Sequence, residues 1–220
     1  MLSNIKISGK IGIVIALMAI AMLMIAIVGK VGISQMNTQC GLIESQGNAA
    51  VLGARMNQNL LAMNRAEYRT AANQQETEEA AKVLNDNAAL FDERIANLEK
   101  LLNGAHADEL RKVRDAYAQY HQGALGTVET ARKHSDNPTD KVREEIMDHV
   151  HVSRARANAL NTEVKTLVDA IDADAHQVFE QSKQQGESFT LLMLSVAGLG
   201  LLLGVAGPDA ERGTPQNGNS

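Results

Sequence analysis

Residues 11–28, IGIVIALMAIAMLMIAIV, form a run of about 18 residues with no charge and no proline, set between Lys10 and Lys30. As an α-helix rising 1.5 Å per residue the run reaches about 27 Å, close to the hydrocarbon thickness of a bilayer. A second uncharged run of similar length, residues 189–206 (FTLLMLSVAGLGLLLGVA), stands near the other end. Lys6 and Lys10 ahead of the first run predict a cytoplasmic N-terminus. The run is longer than the apolar core of a cleaved signal peptide, and Val28-Gly29-Lys30-Val31 makes a poor cleavage exit. An uncleaved anchor is therefore expected, followed by an outward-facing segment and a second span. Gly200 and Gly204 lie four apart on that span, a spacing that permits close helix contact and is also common in membrane helices generally.

Between the runs the pattern is helical. Aromatics make up only 3% of the 220 residues and Trp is absent, which disfavours a β-sandwich. The three prolines, Pro138, Pro208 and Pro215, leave two very long stretches without a helix breaker. Apolar residues recur at steps of three and four. One series runs Leu52, Met56, Asn59, Met63, Ala66, Thr70; a second, Leu84, Ala88, Phe91, Ile95, Leu98, Leu102. A third runs Leu110, Val113, Tyr117, Tyr120, Ala124, Thr127. The fourth is Ile146, Val150, Ser153, Ala157, Leu160, Val164, Leu167, Ile171, Asp174, Val178, in which Asp174 is the clearly polar member. Breaks at residues 73–77, 103–106 and 135–140 separate helices expected over about 31–73, 77–102, 107–134 and 140–187.

The expected fold is all-α: an antiparallel up-down-up-down four-helix bundle flanked by two transmembrane helices. Its parts are a cytoplasmic N-terminus (1–10), a first span (11–30), an outer bundle (31–188), a second span (189–206) and a tail (207–220). The outer helices would reach roughly 65–70 Å and the inner two about 40 Å, so the first and fourth continue as a stalk. Two helices alone bury apolar faces poorly, which predicts a homodimer. Gly32, Gly41, Gly47 and Gly53 make the first helix the weakest. Net charge is −5 with no basic stripe, which argues against nucleic acid as a partner. Cys40, the single cysteine, reads as a small buried residue; pairing with its copy in a second chain is the alternative.

The opening MLSNIKISGKIGIVIALMAIAMLMIAIVGKVGISQMN resembles the start of bacterial methyl-accepting chemotaxis proteins. The segment from about 31 to 188 is similar to their four-helix-bundle ligand-binding domain, and Met63-Asn64-Arg65-Ala66-Glu67-Tyr68-Arg69 resembles part of its first helix. The resemblance implies a sensor of an extracytoplasmic small ligand, in the bacterial inner membrane with a periplasmic bundle, feeding chemotaxis. Some membrane histidine kinases and cyclases carry the same input module. Such receptors continue into a HAMP linker and a cytoplasmic coiled coil. Here GPDAERGTPQNGNS follows the second run and reads as disordered, so an input module without its output is expected.

Arg55, Arg65 and Arg69 fall within about 80° around the first helix. Guanidinium groups on such an edge suit a carboxylate-bearing ligand, and the resemblance implies that arginines of this helix bind ligand at the dimer interface. The competing reading is ion pairing within the bundle, with Arg69 level with Glu144, Glu145 and Asp148 of the fourth helix. Arg154 and Arg156 are further candidates. His149 and Glu145 lie four apart but do not close a tetrahedral metal site, and His151 faces elsewhere. Most of the nine methionines are accounted for by span and core packing. With no nucleophile triad, phosphate loop or paired-carboxylate cleft, neither an enzyme nor a cofactor is expected. A membrane-tethered helical adaptor without a small ligand is the reading from a different class.

Overall fold

The computed structural model describes residues 7–135 and 139–209. Expectations for the first six residues, for residues 136–138 and for the tail from 210 fall outside them. Four α-helices follow in order: α1 (Ile7–Ala72), α2 (Thr77–Leu102), α3 (Ala107–Lys133) and α4 (Asp140–Asp209), with a 3-10 turn at Gln74–Glu76. No strand occurs among the described residues.

The helix ends are chemically marked. Asn73 leaves α1 in an extended conformation and its side chain accepts the Gln75 N–H at 3.1 Å. The break between α2 and α3 needs left-handed backbone at Asn103 (φ 46°), Gly104 (φ 89°) and His106 (φ 55°). The Thr139 hydroxyl accepts the Val142 N–H at 3.3 Å, capping α4 as a residue of that type should. Despite its glycines α1 is unbroken, because tertiary packing rather than propensity sustains it.

Two compact units are built from these helices, residues 42–177 forming one and the two chain ends the other. In the 42–177 unit neighbouring helices are antiparallel. Ser45 donates to the Leu101 carbonyl (3.2 Å) and Asn59 to Asn87 (2.8 Å), joining α1 to α2. Arg132 meets Glu78 (2.7 Å) and Arg114 meets Glu99 (2.5 Å) between α2 and α3. His106 meets Asp174 (3.0 Å) between the start of α3 and α4.

The core draws on all four helices: Met56 and Met63, Leu84, Phe91 and Leu98, Val113 and Tyr120, Leu160, Leu167 and Ile171 are buried. Each such side chain contributes about 1.5–3 kcal/mol by leaving water. Phe91 and Tyr117 stack at 4.3 Å between ring centroids. Ser153 and Asn59 occupy core positions as their spacing required, while Asp174 is half exposed and satisfied by His106.

In the other unit α1 and α4 pair directly. Gln39 donates to Gln185 at 2.8 Å, and the Phe189 ring lies 3.5 Å from where a Cβ on Gly32 would stand. Much apolar surface stays open, including Ile33 (65% exposed) and Met36 (55%). Among the described residues one helix, α1, is long and apolar enough to cross a membrane. Cys40 is exposed, which corrects the expectation of a buried residue. It follows Gln39 by one residue, about 100° around α1, so it turns away from the side that carries the Gln185 bond.

Candidate functional site

Three arginines mark the edge of α1, and the structure separates them. Arg55 and Arg65 are exposed, whereas Arg69 is drawn to the distal turn. Its guanidinium donates to Glu76 at 2.7 and 2.9 Å and reaches Glu79 at 3.2 Å. The partner is therefore not Glu144, Glu145 or Asp148 of α4. The 3-10 turn folds the acidic start of α2 back over the end of α1, placing a carboxylate seven residues further along the chain against Arg69. Hydrogen bonding to Arg69, then to Asn73, holds Glu76 below the usual carboxylate range. A fourth guanidinium, Arg94 of α2, contacts the Arg55 carbonyl and the Asn59 side chain, adding positive charge to this edge.

A second polar group lies inside the bundle. Glu67 is 1% exposed, a carboxyl within a core made mostly of apolar side chains. The Thr127 hydroxyl donates to its Oε1 at 2.7 Å, and the Ser153 hydroxyl approaches it without closing a well-formed hydrogen bond. Burial raises the Glu67 carboxyl above its ordinary value; Thr127, Ser153 and the charge of Arg156 oppose that shift. Tyr120, fully buried, leaves its hydroxyl unpartnered, and burial together with the Glu67 charge pushes the phenol well above its ordinary range. Glu67, Thr127, Tyr120 and Ser153 thus bring α1, α3 and α4 together around one carboxyl.

Between α3 and α4 an open hollow of about 680 Å³ has Ser153 and Gly123 in its wall, with Arg156, His149, Glu145 and Asp148 around it. The Arg156 guanidinium occupies the space a side chain at Gly123 would need: a Cβ there would stand 2.7 Å from its Nη1. His151 and Arg154 are exposed on α4. Among the described residues no three His, Cys, Asp or Glu side chains are grouped to hold a metal.

The four-helix-bundle sensory module for signal transduction matches residues 4–185 of the chain. The chain belongs to this family. The match takes in the whole of α1, α2 and α3, and α4 as far as residue 185. A chemoreceptor-type input domain follows from it, in a family defined by signalling rather than by an enzymatic reaction. No curated protein and no solved structure matches the chain.

In this sensory module the buried carboxyl was not singled out by the heptad reading, which followed Met63, Ala66 and Thr70. Glu67 stands four residues after Met63 and three before Thr70, so it shares their face of α1. A carboxylate bracketed in that way by core positions was the available signal. Arg94 had none, because its partners lie on another helix.

Proposed function

We propose that this sensory module is the periplasmic input half of an inner-membrane chemoreceptor. In this reading both apolar runs span the bilayer, the chain is a homodimer, and residues 31–188 detect a small ligand outside the cytoplasm. The observation that carries it is α4, one unbroken helix from Asp140 to Asp209. It supplies Leu160, Leu167 and Ile171 to the core and then includes the second apolar run. A ligand that binds one arrangement of the helices better shifts its population, and a continuous helix carries the displacement. Shifting the balance from one state to the other needs about 5.5 kcal/mol of differential affinity. Exposed Val31, Ile33, Met36 and Leu42 on α1 support a second copy packed along that helix.

Arg55, Arg65 and Arg69 are the proposed carboxylate-binding residues. Arg55 and Arg65 are free to meet a ligand in solvent, whereas a ligand at Arg69 displaces Glu76 or Glu79. Thermal-shift screening of the full chain in detergent against amino and organic acids tests this. A stabilising acid whose effect is lost in Arg65→Ala supports the sensor. No hit, with a protein partner co-purifying instead, supports the adaptor reading, which the pairing of Arg69 within its own chain favours.

A further inference from the structure

Glu67 stands on α1 where the bundle has little room for a charge. It is 1% exposed, and among the described residues its well-formed hydrogen bond comes from the Thr127 hydroxyl of α3 at 2.7 Å. An ionised carboxylate offers about four acceptor sites, so most of that capacity goes unused. Two further hydroxyls are buried nearby without partners. Ser153 of α4, 1% exposed, approaches the carboxyl without closing a bond. Tyr120 of α3, fully buried, feels the Glu67 charge but leaves its hydroxyl unpaired. Buried polar atoms are almost always paired, so two orphans beside one buried acid call for an explanation.

The two protonation states ask different things of these neighbours. Protonated, Glu67 gains an O–H that the Ser153 oxygen can accept, and no charge remains in the core. Ionised, it only accepts, so the Ser153 and Tyr120 hydroxyls have to close on it, which draws α4 and α3 toward α1. Arg156 of α4 is exposed and forms no ion pair with Glu67 among the described residues; its Nη1 is directed at the Gln119 carbonyl (3.4 Å), over Gly123. Its charge favours the ionised form without meeting it. Tyr120 from α3 and Arg156 from α4 are thus the titratable and charged groups that face Glu67, and no charged side chain of α2 is among those acting on it.

We propose that Glu67 is a proton-binding switch, in which loss of the proton from this buried carboxyl draws α3 and α4 closer to α1. Burial keeps the proton on the folded chain to higher pH than on the unfolded one, so the ionised arrangement appears as pH rises through a value above 4.5. Ser153 lies on α4, the helix that continues to Asp209, so a displacement there is made on the element that leaves the bundle. The switch rests on the sensory reading, to which it adds pH as an input, and it uses residues other than the arginines of α1.

Double electron–electron resonance on the full chain in lipid nanodiscs tests the switch across about pH 4–9. Spin labels are placed at exposed positions, Leu61→Cys on α1 and Val152→Cys on α4, in a Cys40→Ser background diluted with unlabelled chain. The expected result is two distance populations that exchange along one titration curve, the shorter at high pH. Glu67→Gln should hold the acid-form distance at every pH. Arg156→Gln, on the surface, should move the midpoint upward, because a charge favouring the ionised form is gone. Asp169→Asn, removing an exposed carboxylate elsewhere on α4, should leave the curve in place. A distance independent of pH, a Glu67→Gln variant that titrates like the wild type, or a midpoint moved as far by Asp169→Asn as by Arg156→Gln overturns the proposal. If Glu67→Gln does not fold, Arg156→Gln decides, and an unmoved or lowered midpoint overturns it. The sensory reading fails separately, by the absence of any acid response that depends on Arg65.

Discussion

The Thr127 hydroxyl donates to the Glu67 carboxylate across 2.7 Å in the middle of the bundle, tying α3 to α1. Both residues are buried, at 0% and 1% exposure, so the bond forms away from water. Hydrogen bonds to charged groups contribute about 1.5–3 kcal/mol. Thr127→Val, which keeps the shape and removes the donor, is expected to destabilise the bundle by about that amount in urea titrations.

The same carboxyl sets a pH dependence. Its folded pKa is raised above 4.5 by burial, so the folded state holds the proton more tightly than the unfolded one. Above the folded pKa the charge is a net cost; as pH falls through that value the cost is relieved, fully so below 4.5. Glu67→Gln, neutral throughout, should therefore be more stable than wild type near neutrality, with the gap narrowing as pH falls. Paired thermal unfolding across that range measures it, and a constant gap would contradict the assignment.

Gly53 and Gly47 lie on the same helix in different surroundings. A Cβ at Gly53 would stand 2.2 Å from Val168 Cγ2, while one at Gly47 meets nothing within 4 Å. Gly47→Ala should stabilise by about 1 kcal/mol through helix propensity. Gly53→Ala gains the same propensity but forces α1 and α4 apart at a cost of about 1–3 kcal/mol, so its net effect should be destabilising. Equal effects of the two would show that α1 and α4 are not in close contact at this level.

His106 and Asp174 join the turn between α2 and α3 to α4 at 3.0 Å. Asp174→Ala should cost about 0.5–1.5 kcal/mol and speed amide exchange at residues 103–107, which contain three residues with positive φ. Unchanged exchange would mean that the turn is held without this contact.

The helical periodicity was legible because core residues at steps of three and four leave a strong imprint, and even Ser153 and Asn59 obeyed it. Asp174 looked like an interruption until His106 was brought to it by the turn, a contact between residues 68 apart that no local pattern encodes. Arg69 was legible as a paired cation, but its partner was not, since the 3-10 turn redirects the start of α2. Cys40 was misread because residue type says little about burial where only two helices pack. Glu67 fell between two conventions: the three-four rhythm passes through Ala66, while the buried face of α1 is wide enough to take in its neighbour.

Cys40 is the single cysteine of the chain, and its exposure makes it a native reporter of topology. Intact cells expressing the full chain are treated with a small membrane-impermeant maleimide before and after permeabilisation of the inner membrane. A bundle held outside the cytoplasm predicts that Cys40 reacts fully in intact cells, with no gain after permeabilisation. Reaction only after permeabilisation would place the bundle in the cytoplasm and contradict a periplasmic sensor.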